Sequence, residues 1–353
     1  MKILKYLFFL ILILFIGAAV YFGTQDGSFT VSESKIIDAP AEVVFQNIND
    51  YRNWESWGSW MEDESLKINY PENTSGEGAS YSWKSKKDGE GAMQTLSVIP
   101  NISLKQKIVF NGTLEDKGYP VEWTLEPIGN GSSTKVTWSM QGTLGLFEKI
   151  YFATDDINRE EEISNMYAKS LENLNSILLQ KMDVFSISVD GITGYSGGYY
   201  LYNTTAAKQT EISEKIPPMM VQIQHFMEKN NIRAQGSPFV VYMEWDELNN
   251  TSIFTVGIPT KDRVILPDGS PVISGFMESS TALKTTLKGK YTNLTQAWEV
   301  AQKYIAEKNI TKHHSLRPFE VYTIRYPEEK NPANWVTEIY IPIETQLAKP
   351  NAF

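Results

Sequence analysis

Pro238-Phe239-Val240-Val241-Tyr242 and Pro318-Phe319-Glu320-Val321-Tyr322 are one motif written twice, 80 residues apart. A related run precedes each copy: Met227-Glu228-Lys229-Asn230-Asn231-Ile232 before the first, Ala306-Glu307-Lys308-Asn309-Ile310 before the second. An alternating segment ending in proline follows each: Phe254-Thr255-Val256-Gly257-Ile258-Pro259 and Thr337-Glu338-Ile339-Tyr340-Ile341-Pro342, whose Ile-Pro ends are 83 residues apart. Self-similarity at a near-constant spacing marks a duplicated supersecondary unit. The pattern predicts strand, helix, strand, strand in each copy, with helices from Glu211 to Lys229 and from Asn293 to Lys308. Leu294, Ala297, Trp298, Ala301, Tyr304 and Ile305 form the apolar stripe of the second helix. Two such units packed about a pseudo-twofold axis leave a groove between them, a common place for a ligand.

Upstream, the chain reads as a different domain. Val31 to Ile37 alternates like a strand and stops at Asp38-Ala39-Pro40-Ala41-Glu42, where proline suits the first helical position and Val43, Val44 and Ile48 mark a short buried stripe. Asn53-Trp54-Glu55-Ser56-Trp57-Gly58-Ser59-Trp60 follows, with a tryptophan at every third residue. Trp54, Trp57 and Trp60 suit core or lip packing better than ligand contact, because large aromatics so often fill cores. Alternating segments recur near Tyr81 to Lys84, Met93 to Ile99 and Leu104 to Phe110. Gly129-Asn130-Gly131-Ser132 then reads as a hairpin turn that puts Val121, Trp123, Leu125, Val136, Trp138 and Met140 on one sheet face. The domain closes on a long helix from about Asp156 to Gln180, with Ile163, Met166, Tyr167, Leu171, Leu174, Ile177 and Leu178 on one stripe and Glu160-Glu161-Glu162 at its positive end.

The N-terminus is an address. Lys2 and Lys5 precede a run from Tyr6 to Phe22 without a charged residue, roughly 26 Å of helix at about 1.5 Å per residue. The length suits an uncleaved membrane anchor better than a signal peptide, since the best small-residue cleavage candidate, Gly17-Ala18-Ala19, lies inside the run. Lysines before it and none just after place the remaining chain on the non-cytoplasmic side. The expected organisation is an anchor or signal segment over 1–27, domains over 28–182 and 183–345, and a tail over 346–353.

Composition removes whole chemistries. The 353 residues include no cysteine and three histidines, His225, His313 and His314. Disulfides, thiol nucleophiles and Cys-ligated metals are excluded, and His313-His314 lacks a third ligand at suitable spacing, so neither metal nor cofactor is expected. A net charge of −10 argues against a nucleic-acid surface. Asn-x-Ser/Thr sequons such as Asn73-Thr74-Ser75 arise by chance in an Asn-rich chain and carry no weight.

Two stretches resemble known families. Ile37-Asp38-Ala39-Pro40-Ala41-Glu42-Val43-Val44-Phe45, followed by Trp54-Glu55-Ser56-Trp57, resembles the opening of the SRPBCC (START and polyketide-cyclase-like) superfamily. That resemblance implies a helix-grip fold, a curved antiparallel sheet around a long C-terminal helix, with a cavity for hydrophobic small molecules. Lys288-Gly289-Lys290-Tyr291 with Leu294 and Ala297-Trp298, the Pro-Phe-x-Val-Tyr strand, and Trp335-Val336-Thr337-Glu338-Ile339-Tyr340-Ile341-Pro342-Ile343 resemble the GyrI-like effector-binding domain. The fold expected for the whole chain is therefore α+β: a transmembrane helix, a helix-grip domain, then a duplicated β-α-β-β domain with pseudo-twofold symmetry. The GyrI-like resemblance implies an aromatic pocket for cationic or amphipathic molecules with an acid at its base, which falls here on Glu338. No helix-turn-helix precedes the domain, so a transcription-factor role is not implied.

Glu338 also differs from its repeat counterpart, Thr255. With it the expected ligand-binding set is Tyr242, Phe276, Trp298 and Tyr322, whose faces suit cation–π contact, and Trp335 and Tyr340, which flank Glu338. Tyr195, Tyr199, Tyr200 and Tyr202 either line the same pocket or cover the sheet. The function expected is a membrane-tethered, non-enzymatic binder of hydrophobic or amphipathic small molecules. Two alternatives stand beside it: a hydrolase using Glu338 as general base, and an envelope module that binds another protein.

Overall fold

In the computed structural model the described residues are 2–87, 89–111, 116, 118–146, 149–150, 158–246 and 248–344. The chain divides into two compact units, Met1–Gln180 and Lys181–Phe353.

The first unit begins with α1 (Lys2–Thr24), of which Lys5–Thr24 is long and apolar enough to cross a membrane and has no buried share. A seven-stranded antiparallel sheet follows in the order β1-β7-β6-β5-β4-β3-β2. Its strands are β1 (Ser28–Ile37), β2 (Lys67–Asn69), β3 (Ser80–Ser85), β4 (Gly89–Ile99), β5 (Ser103–Phe110), β6 (Tyr119–Ile128) and β7 (Ser133–Thr143). Between β1 and β2 lie α2 (Ala41–Ile48) and two 3₁₀ turns, Tyr51–Ser56 and Ser59–Glu62, which carry the three spaced tryptophans. Pro40 caps α2 from outside instead of opening it, its ψ of 147° being extended. The sheet ends at α3 (Arg159–Asp183). The expected helix start at Asp156 and the tail over 346–353 lie outside the described residues.

The hairpin reading holds in register and in face. Trp123 pairs with Trp138, Val121 with Met140 and Leu125 with Val136, and all six are buried. Alternation alone accounts for this, because a one-residue slip would have turned both tryptophans to solvent. The interior is a stack of rings: Trp123 lies on Trp138 at 4.2 Å and Trp138 on Tyr167 of α3 at 3.7 Å, with Trp54 and Trp57 edge-on to both indoles of the hairpin. Aromatic side chains thus occupy the space where the family resemblance implied a cavity. A buried polar chain threads the same core: Trp123 Nε1 donates to Gln106 Oε1 at 3.0 Å, Gln106 Nε2 donates to the Tyr51 hydroxyl at 3.0 Å, and that hydroxyl bonds Thr95 at 2.8 Å.

The second unit is an eight-stranded antiparallel sheet, β12-β9-β11-β10-β14-β15-β13-β8, with two helices. In chain order these are β8 (Ser186–Tyr195), β9 (Gly198–Lys208), α4 (Ile212–Lys229), β10 (Phe239–Asp246), β11 (Thr251–Pro259), β12 (Ile273–Met277), β13 (Ser280–Lys288), α5 (Leu294–Glu307), β14 (Phe319–Ile324) and β15 (Val336–Pro342). The repeated unit is one strand longer than the motif suggested, because β8 and β12 occupy equivalent places. These leading strands are exchanged: β8 pairs with β13 of the second copy and β12 with β9 of the first. The repeated asparagines also find their reason, since Asn231 and Asn309 take φ of 55° and 52° just past the helix ends. There Ile232 N reaches Met227 O at 2.8 Å and Ile310 N reaches Ile305 O at 3.0 Å, the bonding of a left-handed helix stop.

The halves meet at β10 and β14, where Val240 pairs with Glu320, Phe239 with Val321 and Val241 with Phe319. Each residue of the central pair is the repeat equivalent of the other, so the pseudo-twofold axis passes between Val240 and Glu320. One sheet face packs on the helices: Ile216, Met220, Ile223 and Met227 of α4 against Val240, Phe254 and Val256, and Ala297, Ala301 and Ile305 of α5 against Leu283, Ile339 and Ile341. Phe239, Val241, Ala282, Phe319, Val321 and Tyr340 form a separate cluster on the opposite face.

Truncating Trp123, which is fully buried and both stacked and hydrogen-bonded, is expected to cost the first unit about 3–5 kcal/mol. Urea unfolding followed by tryptophan fluorescence should show Trp123→Ala shifting the unfolding transition to which this aromatic core contributes, while Ile36→Ala, at an exposed position, leaves it in place.

Candidate functional site

Alternation along β14 turns Phe319 and Val321 to one face and Glu320 and Tyr322 to the other, where α5 lies. Glu320 has no exposed surface. Its Oε1 accepts from Trp298 Nε1 of α5 at 2.6 Å and from the Tyr242 hydroxyl of β10 at 3.2 Å, and its Oε2 accepts from the Tyr322 hydroxyl at 2.7 Å. The three donors occupy most of the carboxylate's acceptor capacity, and all are neutral. Burial raises the Glu320 pKa above the ordinary glutamate value, and the bonds from Tyr322, Trp298 and Tyr242 oppose that shift without cancelling it. Burial likewise holds Tyr242 and Tyr322 far above their usual pKa, which keeps both hydroxyls protonated as donors.

A second layer extends the ring system. Tyr291 meets Tyr322 edge-on at 5.2 Å and stacks on Trp335 at 4.6 Å, while the Trp335 indole is tied to Glu329 O at 3.0 Å. Two fully buried hydroxyls on the same sheet face, Thr285 and Thr337, have no hydrogen-bond partner among the described residues, and Thr337 is the register partner of Tyr322. Thr337 lies on the strand next to the acid, whereas Thr285 lies one strand further out, opposite Ile339.

The structure gathers Tyr242, Trp298 and Tyr322 as the sequence suggested, with Trp335 one ring further out. It does not gather Glu338, Tyr340 and Phe276 with them. Ile339 and Ile341 face α5, so alternation sends Glu338 and Tyr340 to the opposite face of β15. There Glu338 accepts from the Tyr340 hydroxyl at 2.8 Å and pairs with Lys284 at 2.8 Å, so its charge is already answered. Phe276 is 58% exposed on β12, the outermost strand of the other half, against Tyr199. Tyr195 joins Phe319 and Tyr340 on the opposite face, and Tyr200 packs on Phe239 and Tyr202. The residue missed in the sequence is Glu320, which stood at the variable position of the repeated motif. Its counterpart is Val240, and a charge replacing an apolar residue on an inward-facing strand position was the available signal.

Two open hollows lie elsewhere. One of about 480 Å³ is lined by Asn203, Lys215, Met219 and Gln222 among others, and one of about 510 Å³ by Gly194, Tyr195 and Ser279 to Thr281. Glu320 lines neither, and with no exposed surface of its own it is reached by a ligand only if side chains move aside. Near the chain's end, tertiary contact brings Glu344 Oε1 within 3.0 Å of His314 Nδ1. His313, His314 and Glu344 thus each offer a donor atom within 4.8 Å of one another, so the fold supplies the third ligand that the sequence spacing did not show, while His313 Nδ1 also accepts from the backbone N–H of Leu316 at 3.1 Å.

Because the native pKa of Glu320 lies above its unfolded value, the neutral acid stabilises the fold below the ordinary carboxylate range. That contribution is lost as pH rises through the native pKa. Urea unfolding between about pH 4 and about pH 8 should therefore show wild type losing stability relative to Glu320→Gln as pH rises, then running parallel to it. A constant difference across the range would contradict the placement of this acid.

Residues 28–175 match the polyketide cyclase/dehydrase and lipid transport family, and residues 201–344 match the GyrI-like small molecule binding domain. No curated protein matches the chain. Among solved structures, the EcmrR C-terminal domain is 17% identical, with 46% of this chain and 99% of that one covered and a TM-score of 0.38. The Aha1 dimer protein of Colwellia psychrerythraea is 15% identical, with 42% and 94% covered and a TM-score of 0.31. The chain thus joins a polyketide cyclase/dehydrase and lipid transport domain to a GyrI-like small molecule binding domain.

Proposed function

We propose that this protein is a membrane-tethered, non-enzymatic receptor for amphipathic cations, with Glu320 as the anion that holds them. In this reading α1 is the tether, the positive-inside rule puts the folded chain on the non-cytoplasmic side, and the two folded domains run over 28–182 and 183–345. The observation that carries the proposal is a fully buried carboxylate whose hydrogen-bond partners are all neutral. Such a group is costly when ionised without a counter-charge, and a bound cation supplies one. Trp298, Tyr242 and Tyr322 surround the acid with aromatic side chains that suit the apolar body of such a molecule. The acidic balance of the chain fits attraction of cations and disfavours nucleic acid.

Benzyltrimethylammonium and its neutral isostere neopentylbenzene have the same shape and differ in charge. The ammonium should raise the melting temperature of the full chain and bind at least about tenfold more tightly, a gap of about 1.4 kcal/mol. Glu320→Gln should erase the gap and Glu338→Gln should keep it. Equal binding of the two compounds, or a gap that survives Glu320→Gln, would sink the proposal.

For the tether, membrane fractionation should leave the full chain with the membranes after alkaline carbonate washing and release a chain beginning at Ser28. Release of both would contradict it.

A further inference from the structure

Beyond the sheet proper, the α5–β14 connection pairs with the end of β15. His313 N donates to Pro342 O at 2.9 Å, Glu344 N donates to Thr311 O at 2.9 Å, and Lys312 bridges to Ile343 between them. Ile343 is 5% exposed in the cluster packed on α5, which ties this short pairing to the folded core.

Neighbouring residues on an extended segment point to opposite sides, and on that rule His313 and His314 could not share an ion. The chain bends at His314, and the two imidazoles instead lie nearly parallel, 4.9 Å apart at 11°. Glu344 completes the group, since one donor atom from each of His313, His314 and Glu344 lies within 4.8 Å of the others. Glu344 Oε1 and His314 Nδ1 are 3.0 Å apart. Two donors that each sit about 2.1 Å from one ion are about 3.0–3.4 Å apart, so this pair already has a shared-ion spacing. Bringing in the third asks only for side-chain rotation, and His314 and Glu344, 80% and 42% exposed, have room for it.

The donor set selects the ion. Two imidazoles and one carboxylate, without sulfur, suit zinc and its divalent neighbours cobalt, nickel and copper, whereas magnesium and calcium prefer a shell of oxygens. Among the described residues the only ion-pair partner of Glu344 is His314, whose imidazole is neutral when it binds a metal, so the carboxylate's charge is left for the ion.

Coordination replaces contacts already made. His314 Nδ1 exchanges its bond to Glu344 for the ion, its ring proton moving to Nε2. His313 Nδ1 accepts from the Leu316 and Ser315 amides at 3.1 and 3.3 Å. Those bonds are given up whether Nδ1 binds the ion or takes the ring proton so that Nε2 can. Neutral hydrogen bonds at an exposed loop are weak, and three protein ligands leave a position for water, so the ion exchanges with solvent.

We propose that His313, His314 and Glu344 form a site for a divalent transition-metal ion of zinc-like ligand preference, which clasps the α5–β14 connection to the end of β15. The site shares no residue with the surroundings of Glu320 and does not depend on what that acid binds.

His225, exposed on α4, is the chain's remaining histidine and serves as an internal control. In NMR spectra of the full chain in detergent micelles, zinc chloride should shift the ring C–H resonances of His313 and His314, saturating at one equivalent, and leave His225 in place. The same addition should raise the melting temperature. Zinc should bind at least about tenfold more weakly to Glu344→Gln and to His314→Ala, since even a supporting partner of a metal ligand is worth that much. His225→Ala should leave the affinity unchanged, and magnesium chloride should move none of the rings. Melting temperatures without zinc, equal to that of wild type, check that the variants fold. Zinc that shifts all three histidines alike, undiminished affinity in Glu344→Gln, an equal response to magnesium, or no shift at all would overturn the proposal.

Discussion

A single carboxylate at the pseudo-twofold axis organises the second unit. Val240 and Glu320 are repeat equivalents and register partners, so a duplicated sheet with perfect symmetry would carry the same residue twice at its centre. Two valines there would make an inert core, and two glutamates would set like charges side by side in a dry interior. One of each places one acid where both halves reach it. Tyr242 comes from the first copy, and Tyr322 and Trp298 come from the second.

The surrounding elements follow from satisfying that acid. Exchange of the leading strands β8 and β12 covers the far edges of the sheet and ties each half to the other. The central β10–β14 register places Tyr242 of the first copy within reach of Glu320 of the second. Helix α5 must present Trp298 at hydrogen-bond length, and its small residues Ala297 and Ala301 let it approach the sheet closely enough. The first unit solves its interior differently, filling the space between sheet and helix with stacked indoles instead of a charge.

Much of the fold was legible because period-two alternation is a strong signal. The hairpin of Trp123 and Trp138, the long helix with Tyr167, Leu171 and Leu174 buried, and the duplication were all visible in residue spacing. The strand exchange was not, because β8 and β12 lack the Pro-Phe-x-Val-Tyr signature and pairing partners are a long-range choice. Part of the candidate site was legible too. Tyr242, Trp298 and Tyr322 stood at repeat positions with an obvious ring chemistry, whereas Glu338 was selected by its contrast with Thr255. The same contrast between Glu320 and Val240 deserved equal weight. Only the facing of β15 separates the two acids: Ile339 and Ile341 claim the helix side and turn Glu338 toward Lys284.

The most direct measurement is the ¹³C NMR titration of the Glu320 side-chain carboxyl in the full chain, with and without saturating benzyltrimethylammonium. Without the cation the midpoint should lie above that of an exposed glutamate, because burial disfavours the charge. With the cation it should move downward, since a bound positive charge stabilises the ionised form. A midpoint at the ordinary glutamate value, or one that the cation leaves unmoved, would contradict Glu320 as the anchoring anion.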